Sequence, residues 1–244
     1  KTVLVTGGTS GIGLVTAREL ARKGAHVTIT ARSTAKGESA KNVICSDLQS
    51  SQCSRVETLT LDLASLNNIA KFSDHFHQKH NSLDVLILNA GVMGCPFQLS
   101  EDGYELQFAT NHLGHFFLTY LLLPLLDRAN EGRVVTVTSG AHQAARGGIR
   151  FDSLDSDRDY SYFGAYAQSK LANILFSNEL SRQLQSRNST ITANSLHPGF
   201  IRTNLARHIM AATRENSPWY WVMDVLEMYV MSGAMSVHDG ALTQ

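Results

Sequence analysis

Tyr166 and Lys170 stand four residues apart in Tyr166-Ala167-Gln168-Ser169-Lys170, a spacing that puts a phenol and an ammonium on one face of a helix. An ordinary tyrosine titrates near about 10, too high for easy proton exchange at neutral pH. A neighbouring cation favours the phenolate and lowers that value, which makes a tyrosine a usable acid/base. The pair alone is common and carries little information. Here it follows Ser139, at the end of Val137-Thr138-Ser139, whose hydroxyl can hydrogen-bond a substrate oxygen. Asn111, in Thr110-Asn111-His112-Leu113-Gly114, falls inside a helical pattern although asparagine is a mediocre helix former. An amide placed there is expected to hold a water or to interrupt the helical hydrogen-bond ladder. Together these residues suit proton transfer at an oxygen.

A second constellation suits a dinucleotide. Thr6-Gly7-Gly8-Thr9-Ser10-Gly11-Ile12-Gly13 follows an apolar run and opens an amphipathic one. Glycines let the backbone turn tightly and approach a pyrophosphate, whose charge a helix N-terminus stabilises. The spacing is TGxxxGxG rather than the GxGxxG of the common dinucleotide fingerprint. The next β-rich run ends Thr28-Ile29-Thr30-Ala31-Arg32-Ser33. An NAD-selective site would place a carboxylate here to bind the ribose; this chain has Arg32, with Lys36 one turn on, and a guanidinium suits a 2′-phosphate. Asp62 reads equally as a turn aspartate or as a residue at the adenine edge.

Both sets need a scaffold. Thr2–Thr6, Ala25–Thr30, Arg55–Thr60, Leu83–Leu88, Arg133–Thr138 and Thr190–Leu196 read as buried strands. Between them, Ile12–Lys23, Leu66–His80, Gly103–Leu126 and Tyr166–Ser186 read as helices. Ser33–Ser54 starts helical and ends in an ambiguous Ser-rich stretch. Alternation of this kind predicts an α/β domain: one parallel sheet covered on both faces. Gly147–Phe163 and Phe200–Ser236 are long for connections, which marks them as functional loops. The second holds Trp219, Tyr220, Trp221, Met223 and Met228, read as a substrate lid over about 200–236.

Taken together the chain resembles the short-chain dehydrogenase/reductase family, and within it the retinol dehydrogenase group with its WW-domain oxidoreductase and protochlorophyllide reductase relatives. The likeness rests on Thr6–Gly13, Asp62-Leu63, Asn89-Ala90-Gly91, Asn111 through Phe116, Ser139, Tyr166 through Leu175, and His197-Pro198-Gly199 followed by Thr203. Leu88 stands where many members carry another asparagine. The resemblance implies a Rossmann-type doubly wound sheet of order 3-2-1-4-5-6 in a single catalytic domain, with NADP(H) at the C-terminal strand ends. It implies that Tyr166 donates or accepts the proton, Ser139 polarises the substrate oxygen, Lys170 holds the nicotinamide ribose and lowers the Tyr166 pKa, and Asn111 supports a water relay to Lys170. Hydride would pass at the nicotinamide B face. Gly7, Thr9, Ser10, Gly11, Ile12, Gly13, Arg32, Lys36, Asp62, Leu63, Asn89, Ala90 and Gly91 would bind cofactor, with Pro198, Gly199, Ile201 and Thr203 on the nicotinamide side. The substrate would be a small apolar alcohol, aldehyde or ketone.

Composition narrows the rest. Among 244 residues, 21 Lys and Arg balance 21 Asp and Glu, so no overall field favours nucleic acid. The longest apolar run, Phe116–Leu126, is too short to span a bilayer. Cys45, Cys53 and Cys95 form no CxxC pair and read as free thiols in a reducing, intracellular compartment, the cytoplasm or the cytoplasmic face of a membrane. The chain starts at Lys1 inside an apolar run and stops at Gln244 inside a helical pattern. The expectation is a fragment lacking its native termini, with the family's seventh strand missing and any membrane anchor outside it. A homodimer is compatible with the sequence. His75, His77 and His80 invite a metal reading, but only His77 and His80 share a helical face and no second ligand cluster accompanies them; no metal is expected. Ser139 with His142 lacks a GxSxG elbow, which argues against a hydrolase. Two rivals remain: a nucleotide-binding regulatory or scaffold protein with little turnover, and a C=C reductase of the protochlorophyllide reductase kind.

Overall fold

Apolar residues alternate along the first strand, so Val3 and Val5 enter one core cluster while Leu4 enters another. That division organises the molecule, whose computed structural model describes residues 1–199. Six strands, β1 (Thr2–Val5), β2 (His26–Ala31), β3 (Val56–Thr60), β4 (Val85–Leu88), β5 (Arg133–Val137) and β6 (Thr192–Leu196), form one sheet of order β3-β2-β1-β4-β5-β6. Every pairing is parallel, as βαβ connections require. One face buries Val27, Ile29 and Ile87 against Ala17, Ala21, Ala40 and Ile44 of α1 (Gly11–Arg22) and α2 (Thr34–Cys45). The other buries Leu86, Leu88 and Val134 against Phe72 and Phe76 of α4 (Leu66–Lys79), Leu118 and Leu122 of α6 (Gly114–Asp127) and Leu184 of α7 (Tyr162–Ser186).

The order runs outward both ways from β1 and β4, whose C-terminal ends therefore diverge into a crevice at the switch point. The expected Rossmann-type order is thus the observed one. The helix expected over Gly103–Leu126 is instead built in three pieces. Glu105 caps α5 (Leu106–Phe108) by accepting from the N–H groups of Gln107 and Phe108, a π turn follows at Ala109–Leu113, and α6 continues from Gly114. The last helix starts a turn earlier than Tyr166, because the Ser161 side chain accepts from Gly164 N and caps it.

Two of the three thiols expected to be free are not. A short α3 (Ser50–Cys53), where Gln52 Oε1 accepts from Gln49 N at 3.0 Å, folds back toward the end of α2. This brings the Cα atoms of Cys45 and Cys53 to 5.1 Å, and their sulfurs are bonded. Cys95 is a buried thiol. The reducing-compartment reading rested on all three and loses that support. Among the described residues no helix is long and apolar enough to cross a membrane. The lid over 200–236, with Ile201, Thr203 and the Trp219–Met228 run, lies outside the described residues, as does any seventh strand.

Candidate active site

A cleft of about 710 Å³ opens at the C-terminal strand ends, within the usual range of cofactor and ligand sites. Its floor is the turn after β1. Gly7 there adopts φ +67°, and a Cβ on it would lie 2.8 Å from the Ala90 backbone, so only glycine lets the turns after β1 and β4 meet. Thr9, Ser10, Gly11 and Ile12 line the cleft beside it. Ser10 occupies the α1 N-cap position without making a side-chain cap bond. Gly13 is one layer deeper, packed on the Asn89 amide and the Gly7 carbonyl. Asn89 ties the floor together, donating from Nδ2 to Thr6 O at 2.9 Å and Gly7 O at 3.2 Å.

Arg32 and Lys36 line the cleft, as do Asp62 and Leu63. Asp62 makes the turn that its type allows, Oδ1 accepting from Ala64 N at 3.0 Å, and still lines the cleft; the cap of α4 is Ser65. Ser139, Tyr166, Lys170, Pro198 and Gly199 also line the cleft. Ser139 lies just past β5 and accepts from Ala141 N at 3.2 Å. Lys170 is 3% exposed, donates from Nζ to Val137 O at 3.1 Å and stands 5.6 Å from the Tyr166 ring centroid. Burial pushes its pKa down to about 8.

Tyr166 departs from expectation. Burial holds its phenol above the ordinary value, and the group that opposes this is the Ser139 hydroxyl. The Lys170 ammonium stands over the ring face, 5.6 Å from the centroid. Asn111 stands close to this wall, its Oδ1 and Lys170 Nζ both lying beside Gly91. It is fully buried behind the cleft wall, with Oδ1 accepting from Val92 N at 2.8 Å and Nδ2 donating to Val92 O at 2.9 Å and Ser169 Oγ at 3.0 Å. It does interrupt the α-helical ladder, sitting in the middle of the π turn.

Sequence reasoning named no role for Val92, Thr110 or His197, which also line the cleft. Val92 adjoins a recognised motif and His197 belongs to one, so their positions carried a signal; Thr110 had only its neighbour Asn111. Two of the three histidines set aside as metal ligands have structural partners: His77 bonds the Leu121 carbonyl, and His80 pairs with Glu57.

A family model described as short chain dehydrogenase matches residues 1–214. The chain belongs to the short-chain dehydrogenase family. It is therefore an oxidoreductase acting at CH–OH or C=O groups. It is 48% identical over 229 residues to the chloroplastic short-chain dehydrogenase TIC 32 B of Brassica napus, covering 90% of this chain and 71% of that one. It is 47% identical over 219 residues to human retinol dehydrogenase 14, covering 86% of this chain and 64% of the relative. Among solved structures, the RhlG/NADP complex of Pseudomonas aeruginosa superposes with a TM-score of 0.73 at 25% identity, covering all of this chain and 87% of that one.

Proposed function

We propose that this chain is an NADP-dependent oxidoreductase moving a hydride between nicotinamide and a hydrophobic alcohol, aldehyde or ketone. The observation that carries this is one cleft with a glycine floor, lined by Arg32 and Lys36 and by Ser139, Tyr166 and Lys170. When bound, NADP(H) supplies or accepts the hydride. The chain's own residues manage the proton and the geometry. The Tyr166 phenol gives its proton to, or takes it from, the substrate oxygen, which Ser139 holds by a hydrogen bond. Lys170 would hold the nicotinamide ribose, and burial lowers its hold on its own proton. Asn111 is a positioning residue: its amide fixes Val92 on one side of the cleft and Ser169 on the helix of Tyr166 and Lys170.

Arg32 and Lys36 support NADP over NAD, since paired cations suit a 2′-phosphate. The hydrophobic substrate class draws on the names of the retinol dehydrogenases among the relatives. A turnover screen with NADPH over carbonyls of graded hydrophobicity, with product analysis, tests the proposal. Expected is reduction of C=O, lost in Tyr166→Phe. Tight NADPH binding without turnover favours a regulatory role, and a saturated C=C product favours the alternative reduction.

A further inference from the structure

His115, on the first turn of α6, is 1% exposed and has no part in the chemistry above. Its ring nitrogens meet Thr6 Oγ1 at 2.9 Å through Nε2 and the Asn111 main-chain carbonyl at 3.0 Å through Nδ1. Counting protons fixes the tautomer. A carbonyl only accepts, so Nδ1 carries the hydrogen and donates. Thr6 Oγ1 already accepts from Asn89 N at 2.9 Å and Ala90 N at 3.0 Å, which fills both lone pairs. Its own proton therefore goes to Nε2 at 2.9 Å, in preference to the Ile87 carbonyl at 3.3 Å. The ring is neutral, in the Nδ1–H form. A second ring proton would point at an oxygen with no lone pair left. Burial first, then the charges of Lys170 and His112, also oppose protonation, and the ring pKa lies at about 3.

We propose that His115 is a positioning residue that locks the cofactor floor to the proton-transfer wall. Thr6 launches the glycine turn and gathers the N–H groups of Asn89 and Ala90. Asn111 gathers Val92 and Ser169, and the Ser169 hydroxyl in turn donates to Tyr166 O at 2.7 Å. His115 joins the two groups and can do so only while it is neutral, because one nitrogen must accept while the other donates.

The inference rests on the oxidoreductase reading for its kinetic test but not for its spectroscopic one. In protein carrying ¹⁵N-labelled histidine, the ring in through-space contact with Thr6 should show a protonated Nδ1 and a bare Nε2, unchanged from about pH 5 to pH 9. An Nε2–H tautomer, or titration near about 6.5, overturns the proposal. His115→Phe should lower kcat at least about tenfold with KM for the carbonyl nearly unchanged, and His115→Gln, which keeps one donor and one acceptor, should recover most of the loss. A folded His115→Phe with kcat within about twofold of the parent, or a folded His115→Gln that recovers nothing, overturns it. Should the parent show no turnover, the catalytic reading fails by itself. NADPH affinity, expected to weaken severalfold in His115→Phe and return in His115→Gln, then decides this inference alongside the spectra.

Discussion

Lys170 Nζ stands over the Tyr166 ring, 5.6 Å from its centroid, and is anchored by the carbonyl of Val137 at 3.1 Å. The phenol and the ammonium are thus held by different contacts and separate under mutation. Tyr166→Phe removes the acid/base and leaves the ring packing, so it should keep NADPH affinity and lower turnover by about 10²–10⁴-fold. Fluorescence titration beside steady-state kinetics checks this. Loss of NADPH binding in Tyr166→Phe would make the tyrosine structural.

Lys170 also predicts a pH dependence of stability. Its folded pKa, about 8, lies below the ordinary value of 10.5. Between these limits the unfolded chain binds the additional proton, so this group's contribution to stability rises with pH across that window. Below it, burying the ammonium carries its full cost. Lys170→Met removes that cost and also the bond to Val137 O, leaving a net gain of roughly 2 kcal/mol at pH 7. Thermal melts should show Lys170→Met several degrees above the parent at pH 7, with the difference shrinking between pH 8 and 10.5. A lower melting temperature at pH 7 would show the buried ammonium to be well compensated.

Arg32 lines the cleft with Lys36, where β2 gives way to α2. NADP(H) should bind at least about tenfold more tightly than NAD(H), a difference of about 1.4 kcal/mol. Arg32→Ala should remove most of that preference while NAD(H) affinity stays nearly constant. Calorimetric titration of both cofactors reads this directly, and an unchanged preference removes Arg32 from the selectivity argument.

How much of this was legible in sequence follows from the range of the interactions. Runs such as Val3-Leu4-Val5 and Leu86-Ile87-Leu88 read as strands because a sheet covered on both faces needs apolar residues throughout. The cleft residues were legible where glycine turns and strand ends placed them. The start of α7 was missed because Ser161 was not weighed as a cap. The π turn had a local hint in Asn111, but its bond to Val92, 19 residues away, did not show in sequence. The disulfide needed α3 to fold back, which the Ser-rich stretch did not announce. Thr6 and His115 are 109 residues apart, and nothing in either segment signals the other.

The fully buried Asn111 amide makes three hydrogen bonds, two to Val92 and one to Ser169. Asn111→Ala leaves Val92 N, Val92 O and the Ser169 hydroxyl without that side-chain partner. The cost should be roughly 2–4 kcal/mol, or on the order of 10 °C in melting temperature. Activity should fall further than stability, because the wall carrying Tyr166 and Lys170 loses its brace. Melting curves and kcat per NADPH-binding site separate the two effects; a drop in stability alone would leave Asn111 a purely structural residue.

Gly13 gives the sharpest test of the cofactor floor. It lies inside α1, where alanine is the better helix former by about 1 kcal/mol, so an unconstrained site would gain stability from Gly13→Ala. The site is constrained. A Cβ there would lie 2.4 Å from Asn89 Nδ2 and 2.5 Å from the Gly7 carbonyl oxygen, closer than carbon packs. Gly7 O belongs to the turn itself and cannot swing away, so either α1 lifts from the floor or the Asn89 amide is expelled. Expulsion also breaks the Asn89 bonds to Thr6 O and Gly7 O. Overpacking of this kind typically costs about 1–3 kcal/mol, which outweighs the helix gain. Gly13→Ala should therefore be less stable than the parent and bind NADPH more than about tenfold more weakly, since the turn that would hold the pyrophosphate has moved. Chemical denaturation and NADPH titration on the same protein read both quantities. Equal or greater stability with intact affinity would mean that Asn89 moves aside freely, and that the floor does not depend on the contact between α1 and the turn after β4.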